Sequence, residues 1–309
     1  MLFFQTELLL GYAYVHFLHE KFAARRQVAL HGALLLLSLA TLPITANPAW
    51  KDLALTNPSL GVCVVLGLSV GVPYLMLSTT GPLMQAWYAK AFSVQGAAAP
   101  PYRLYALSNL ASMASLLSYP IVVEPILTLD VQANVWSALY IGSVVLCLLT
   151  AGLVWRRTAL DKIARSQEAQ PAGGSESTRP GWRQCILWAG LAATASILLL
   201  SLTRQLTTDV APVPFLWVLP LSIYLLSFIL CFDAPRYYVR PLFLAALPLS
   251  LLAVHYAIDD VDSVPIQIAL INGALFVFCM VCHGELTRRK PAVNHLTLFY
   301  LMLSIGGAL

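Results

Sequence analysis

The chain has 309 residues, 59% of them hydrophobic and only 10% charged, with a formal net charge of +4 and a mean hydropathy of +0.76. A soluble domain of this length carries roughly 25% charged residues to cover its surface, so composition excludes a water-facing catalytic domain and indicates a body solvated by lipid. The small positive balance is concentrated in particular loops, which speaks for a topology signal and against a nucleic-acid face.

Apolar windows of about 20 residues predict an all-α, polytopic bundle of about ten spans. They lie at roughly 1–19, 27–45, 57–80, 102–121, 133–155, 183–203, 211–232, 240–258, 263–282 and 296–309. The first window lacks a basic leader region, so no cleavable signal peptide is expected. It holds Glu7 between apolar residues, the best candidate for a buried carboxylate that couples to a proton or cation. His16, His31 and, further on, His255 are expected in interfacial or packing roles.

The fourth window carries Ser108, Ala111, Ser112, Ser115 and Ser118 at helical spacing. Such a stripe of small residues lets helices approach closely in lipid, and helix packing through Ser108, Ser112 and Ser115 is the expected role. The alternative is a cavity lining, with Tyr105 and Asn109 on the adjacent face. Glu124 follows near the outer end of that span. The interval 156–182, with "SQEAQPAGGSESTRPG", reads as a flexible linker. It divides the chain into an N-terminal half (1–155) and a C-terminal half (183–309) of five spans each.

Before the seventh window, "RQLTTDVAPVP" either caps a helix start or forms an external mouth with Arg204 and Asp209 as pair or gate. In the ninth, "CMVCH" matches the C-x-x-C-H pattern of covalent haem. His283 stands at the cytoplasmic end of its span, however, the wrong side for haem attachment. With Glu285 it forms a motif of unassigned role, and no metal or cofactor is expected. The six cysteines lie in or beside apolar runs and do not read as a disulfide framework. Nucleotide-binding, dinucleotide-binding and hydrolase signatures are absent. The tenth window is short for a bilayer, and Gly306 and Gly307 within it are expected to pack helices.

Alternating the loops between two sides puts sixteen of the 18 basic residues on one side, leaving Lys51 and Arg204 on the other with most of the loop aspartates. The positive-inside rule makes the basic side cytoplasmic, with both ends of the chain outside. One further span at each end would give six spans on either side of a central cytoplasmic loop, the layout of the major facilitator superfamily, with these ten as spans two to eleven.

Four stretches carry a family resemblance: "LFFQTELLLGYAYVH", "PYRLYALSNLASMASLLSYPIVVEP" with "WSALY", "TTDVAPVPFLWVLPLSIYLLSFIL" and "CHGELTRRKPAVNHLTLFYLMLSIGGAL". In that order, over nearly the whole chain, they resemble the membrane portion of bacterial fused major-facilitator/spermidine-synthase-like proteins. The resemblance implies a major-facilitator-like fold in the bacterial inner membrane. The family also carries a soluble synthase-like domain, which this chain lacks, so aminopropyltransferase-like chemistry has no seat here. The expected function is transporter-like handling of a small cationic solute such as a polyamine. The alternative is a non-transporting membrane anchor for a cytoplasmic synthase-like partner domain.

Overall fold

A computed structural model describes residues 2–45, 58–92, 101–167, 180–209, 215–259 and 261–309, side chains excepted at 2, 90–92, 101, 157–167 and 209. Among the described residues there is helix and no strand. The helices are α1 (Leu2–Lys21), α2 (Ala24–Ser38), α3 (Pro58–Leu66), α4 (Val72–Phe92), α5 (Pro101–Ser118), α6 (Leu129–Gln167), α7 (Trp182–Asp209), α8 (Phe215–Asp233), α9 (Arg240–Asp259), α10 (Val264–Arg288) and α11 (Leu296–Ala308). A π-helical turn, Gly67–Gly71, joins α3 to α4 without a break, and a second one, Tyr119–Val123, prolongs α5.

Seven helical segments among the described residues are long and apolar enough to cross a membrane: Pro58–Ala89, Tyr102–Ile126, Leu129–Arg156, Trp182–Thr208, Phe215–Asp233, Arg240–Asp259 and Val264–Arg288. The chain is therefore a multi-pass helical membrane protein. α1 has the length but is too polar, with Gln5, Glu7, His16 and His19 along it. α2 and α11 have only 15 and 13 residues.

Helix ends follow local chemistry. α2 tightens into a 3-10 turn, Leu39–Thr41, ahead of Pro43, because the residue before a proline is driven out of the helical region. α9 and α10 both carry a proline at their second position, Pro241 and Pro265, where the missing N–H costs nothing. Pro82, Pro220 and Pro248 lie inside helices, a placement lipid-embedded bundles tolerate. The linker expected from residue 156 begins instead as helix. α6 runs on to Gln167 through "RRTALDKIARSQ", whose Ala, Leu, Arg and Lys are good helix formers. Residues 168–179 of that linker lie outside those described.

The chain forms two compact units, and their division differs from the one expected along the sequence. Unit 1 comprises 1–98, 126–179 and 293–301; unit 2 comprises 99–125, 180–292 and 302–309. In unit 1, α1 packs on α4, and α2 packs on both α4 and α6. One core joins Val15, Leu18, Leu83, Trp87, Ala151 and Val154; another joins Leu35, Met76, Tyr140, Val144 and Cys147. In unit 2, α10 is central, against α7, α8 and α9, and α5 lies on α8. Its core joins Leu199, Leu206, Ala257, Ile271, Leu275 and Cys279.

Candidate functional site

Glu7 is the carboxylate that unit 1 holds among its helices. One of its oxygens, Oε2, is buried with no hydrogen-bond partner among the described residues. The other faces the π turn: a Cβ on Gly71 would stand 3.7 Å from Glu7 Oε1 and 3.7 Å from Phe3 Cζ. Gly71 lies 13 residues beyond Pro58, so at about 1.5 Å per residue it is roughly 20 Å along its span, near mid-length. Aromatic rings border the site. Phe4 meets Tyr74 edge-to-face at 5.0 Å and Phe3 at 5.2 Å. Ser69, inside the turn, gives its proton to Val65 O at 2.7 Å and has none for Glu7. A π turn widens a helix by one residue and is found mostly at functional positions. Here one of its glycines, Gly71, stands beside a carboxylate.

Deeper in unit 1 sequence reasoning missed a polar chain. Trp87 Nε1 donates to Gln27 Oε1 at 3.0 Å, and Gln27 Nε2 donates to Phe22 O at 2.7 Å. His31, buried beside them, meets the Tyr14 hydroxyl at 3.5 Å through Nδ1. Tyr300 hydrogen-bonds Gln85 at 2.5 Å and His16 meets Thr297 at 3.0 Å. Such partners stand far apart in sequence, and only the paired occurrence of polar residues in apolar runs signals them.

In unit 2 the "CMVCH" motif separates into two environments. His283 is fully buried, stacked on Phe228 at 3.7 Å and edge-on to Tyr224 at 5.0 Å. Ser227 has a single proton, given to Tyr224 O at 2.7 Å. With its proton on that carbonyl it accepts at its 2.8 Å contact with His283 Nδ1, an arrangement that assigns the imidazole proton to Nδ1. Nε2 is left a bare lone pair, buried and without a partner among the described residues.

Two residues on, Glu285 is a clamp. Its Oε1 accepts from Arg240 Nε at 2.8 Å and from the Tyr238 hydroxyl at 3.2 Å, while Oε2 pairs with Arg289. Burial, and then the adjacent Glu285 carboxylate, push the Tyr238 phenol up to about 12. Gly284 lets the Tyr238 ring lie flat on α10, since a Cβ there would overlap it. The described residues bring together no group of three or more His, Cys, Asp or Glu side chains able to hold a metal.

The remaining candidates are dispersed. Tyr105 packs on Phe228 and Phe232, and Asn109 donates to Tyr105 O at 2.8 Å within its own helix. Ser108, Ser112 and Ser115 are exposed, and Ser112 bonds back to Ser108 O. The face of α5 buried in unit 2 carries Tyr102 and Ala106. Glu124 and Arg204 are exposed; Asp209 ends α7, and its side chain lies outside those described. Gly306 meets the α7 backbone at Ala189, while the nearest atom to a Cβ on Gly307 would be Ser196 Oγ at 3.9 Å. His255 pairs with Asp259 at 2.7 Å.

Comparison with family models, with curated proteins and with solved structures finds no match.

Proposed function

We propose that this chain is the membrane body of a transporter for a small cationic solute of polyamine type, with Glu7 as the group that meets the cation or its coupling proton. The observation that carries the reading is the Glu7 carboxylate beside a glycine-bearing π turn at mid-span, with one oxygen buried and without a hydrogen-bond partner among the described residues. A buried acceptor left without a donor costs about 1–3 kcal/mol, and more when charged. Retaining one at that depth is intelligible where a mobile proton or ammonium group satisfies it in turn.

In this reading the ten apolar windows are ten spans of a major-facilitator arrangement in a bacterial inner membrane, with the basic loops cytoplasmic. Its support is the run of helices under those windows and the resemblance of the four stretches quoted above. The test is uptake of labelled spermidine or putrescine by vesicles containing the purified chain, under an imposed proton gradient. Glu7→Gln is expected to lower flux at least ten-fold, whereas Glu124→Gln, at an exposed position, is expected to change it little. Equal flux in parent and Glu7→Gln would overturn the role of Glu7. No flux in the parent would favour a non-transporting anchor for a synthase-like domain.

A further inference from the structure

One end of unit 2 collects cations. Contacts among the described residues bring together the starts of α5, α7 and α9 and the ends of α8 and α10. Arg103 pairs with Asp233 at 3.1 Å, Arg240 with Glu285 at 2.8 Å, Trp188 Nε1 donates to Arg289 O at 3.0 Å, and the Tyr102 hydroxyl donates to Pro291 O at 2.8 Å. Seven basic residues lie here: Arg103, Arg183, Arg236, Arg240, Arg288, Arg289 and Lys290. The described carboxylates at this end are Asp233 and Glu285, both engaged.

Arg183, Arg236, Arg288 and Lys290 are in no salt bridge among the described residues. Three of the four lie over aromatic rings instead: Arg183 on Trp182 at 5.5 Å, Arg236 on Tyr237 at 4.9 Å and Lys290 on Tyr102 at 5.0 Å. Apolar groups are exposed at the same level, with Trp182 at 69% and Leu242 at 63%.

We infer that this rim binds the headgroups of anionic phospholipids, so that unit 2 gathers such lipids around it. A cation over an amphipathic ring, with exposed aliphatic residues beside it, suits the boundary between acyl chains and phosphates. An acidic soluble partner would match the charge alone and leave Trp182 and Leu242 in water. Each cation near an anionic leaflet adds attraction worth a factor of about five in local lipid preference.

The full chain is reconstituted in vesicles of phosphatidylcholine and phosphatidylglycerol, with bromine on the acyl chains of one lipid or the other. The quenching of Trp182 is obtained by difference from Trp182→Phe. Brominated phosphatidylglycerol is expected to quench more strongly than brominated phosphatidylcholine at equal fraction, with the preference shrinking as salt is raised. The double variant Arg183→Gln, Arg236→Gln is expected to lose most of that preference, and Arg183→Lys, Arg236→Lys to keep it; circular dichroism confirms that each is folded. Equal quenching by the two lipids, or a preference that survives removal of both charges, would overturn the inference, and equal quenching accompanied by capture of acidic polypeptides would assign the rim to a protein partner. None of these outcomes depends on solute flux.

Discussion

Adding one methyl group to α11 tests the packing of unit 2 at a close approach of two helices. A Cβ on Gly306 would overlap the Ala189 carbonyl and stand 2.8 Å from Ala192 Cβ and 2.9 Å from Ala193 N. Carbon atoms in ordinary contact are about 3.5–4.0 Å apart, so α11 and α7 would have to part by about 1 Å there. The obstacles are backbone and a Cβ, so no rotamer change relieves them. Over-packing of this kind costs about 1–3 kcal/mol. Gly307 is the internal control, because a Cβ there meets nothing nearer than Ser196 Oγ at 3.9 Å. Both substitutions gain similar helix propensity, at most about 1 kcal/mol, so their difference isolates the overlap. In reversible unfolding from lipid–detergent micelles, Gly306→Ala is expected to be less stable than Gly307→Ala by about 1–3 kcal/mol, and Gly307→Ala at least as stable as the parent. Equal stability of the two variants would refute the reasoning.

Nitrogen-15 NMR of labelled histidine should find neutral His283 protonated on Nδ1, with Ser227→Ala releasing that preference; a parent signal from Nε2–H would contradict the hydrogen-bond assignment. Gln27→Leu strands the buried Trp87 N–H and is expected to cost about 1–3 kcal/mol of stability, much of it recovered in Gln27→Leu, Trp87→Phe because the orphaned donor is then gone. Tyr238 holds its proton more tightly folded than unfolded, so its contribution to stability is complete below its ordinary value of 10.0 and is lost as pH rises towards about 12. Unfolding midpoints of parent and Tyr238→Phe across that window should show a steeper fall in the parent.

The membrane class and the approximate positions of the helices were legible because twenty-residue apolar runs have few other uses. Glu7 was legible for the same reason, as a carboxylate set between apolar residues. Its surroundings were not, since nothing in "GLSVG" announces a π turn rather than an α turn. The serine stripe shows the limit of periodicity: spacing says that Ser108, Ser112 and Ser115 share a face, but not whether another helix covers it. Adjacent residues also misled. His283 and Glu285 looked like one motif, yet two residues of helix turn a side chain by about 200°, enough to send one into an aromatic cluster and the other to two arginines. The Glu285 clamp draws Arg240 from 45 residues away, a separation at which residue pattern carries no pairing information.

The π turn at Gly67–Gly71 sets the phase of the helix that follows. One additional residue in that turn re-aims each later position of α4 by about 100° relative to an uninterrupted α-helix. Trp87, Leu83 and Met76, which α4 contributes to the two cores of unit 1, keep the phase of a regular helix one residue shorter because the wide turn absorbs the surplus residue. Deleting a single residue between 67 and 71 would restore regular winding and leave that surface in phase, because each later position then moves up by the one residue whose roughly 100° the turn absorbs. The five-residue turn thus lets the helix carry one residue more beside Glu7 without disturbing the alignment of Trp87 with Gln27.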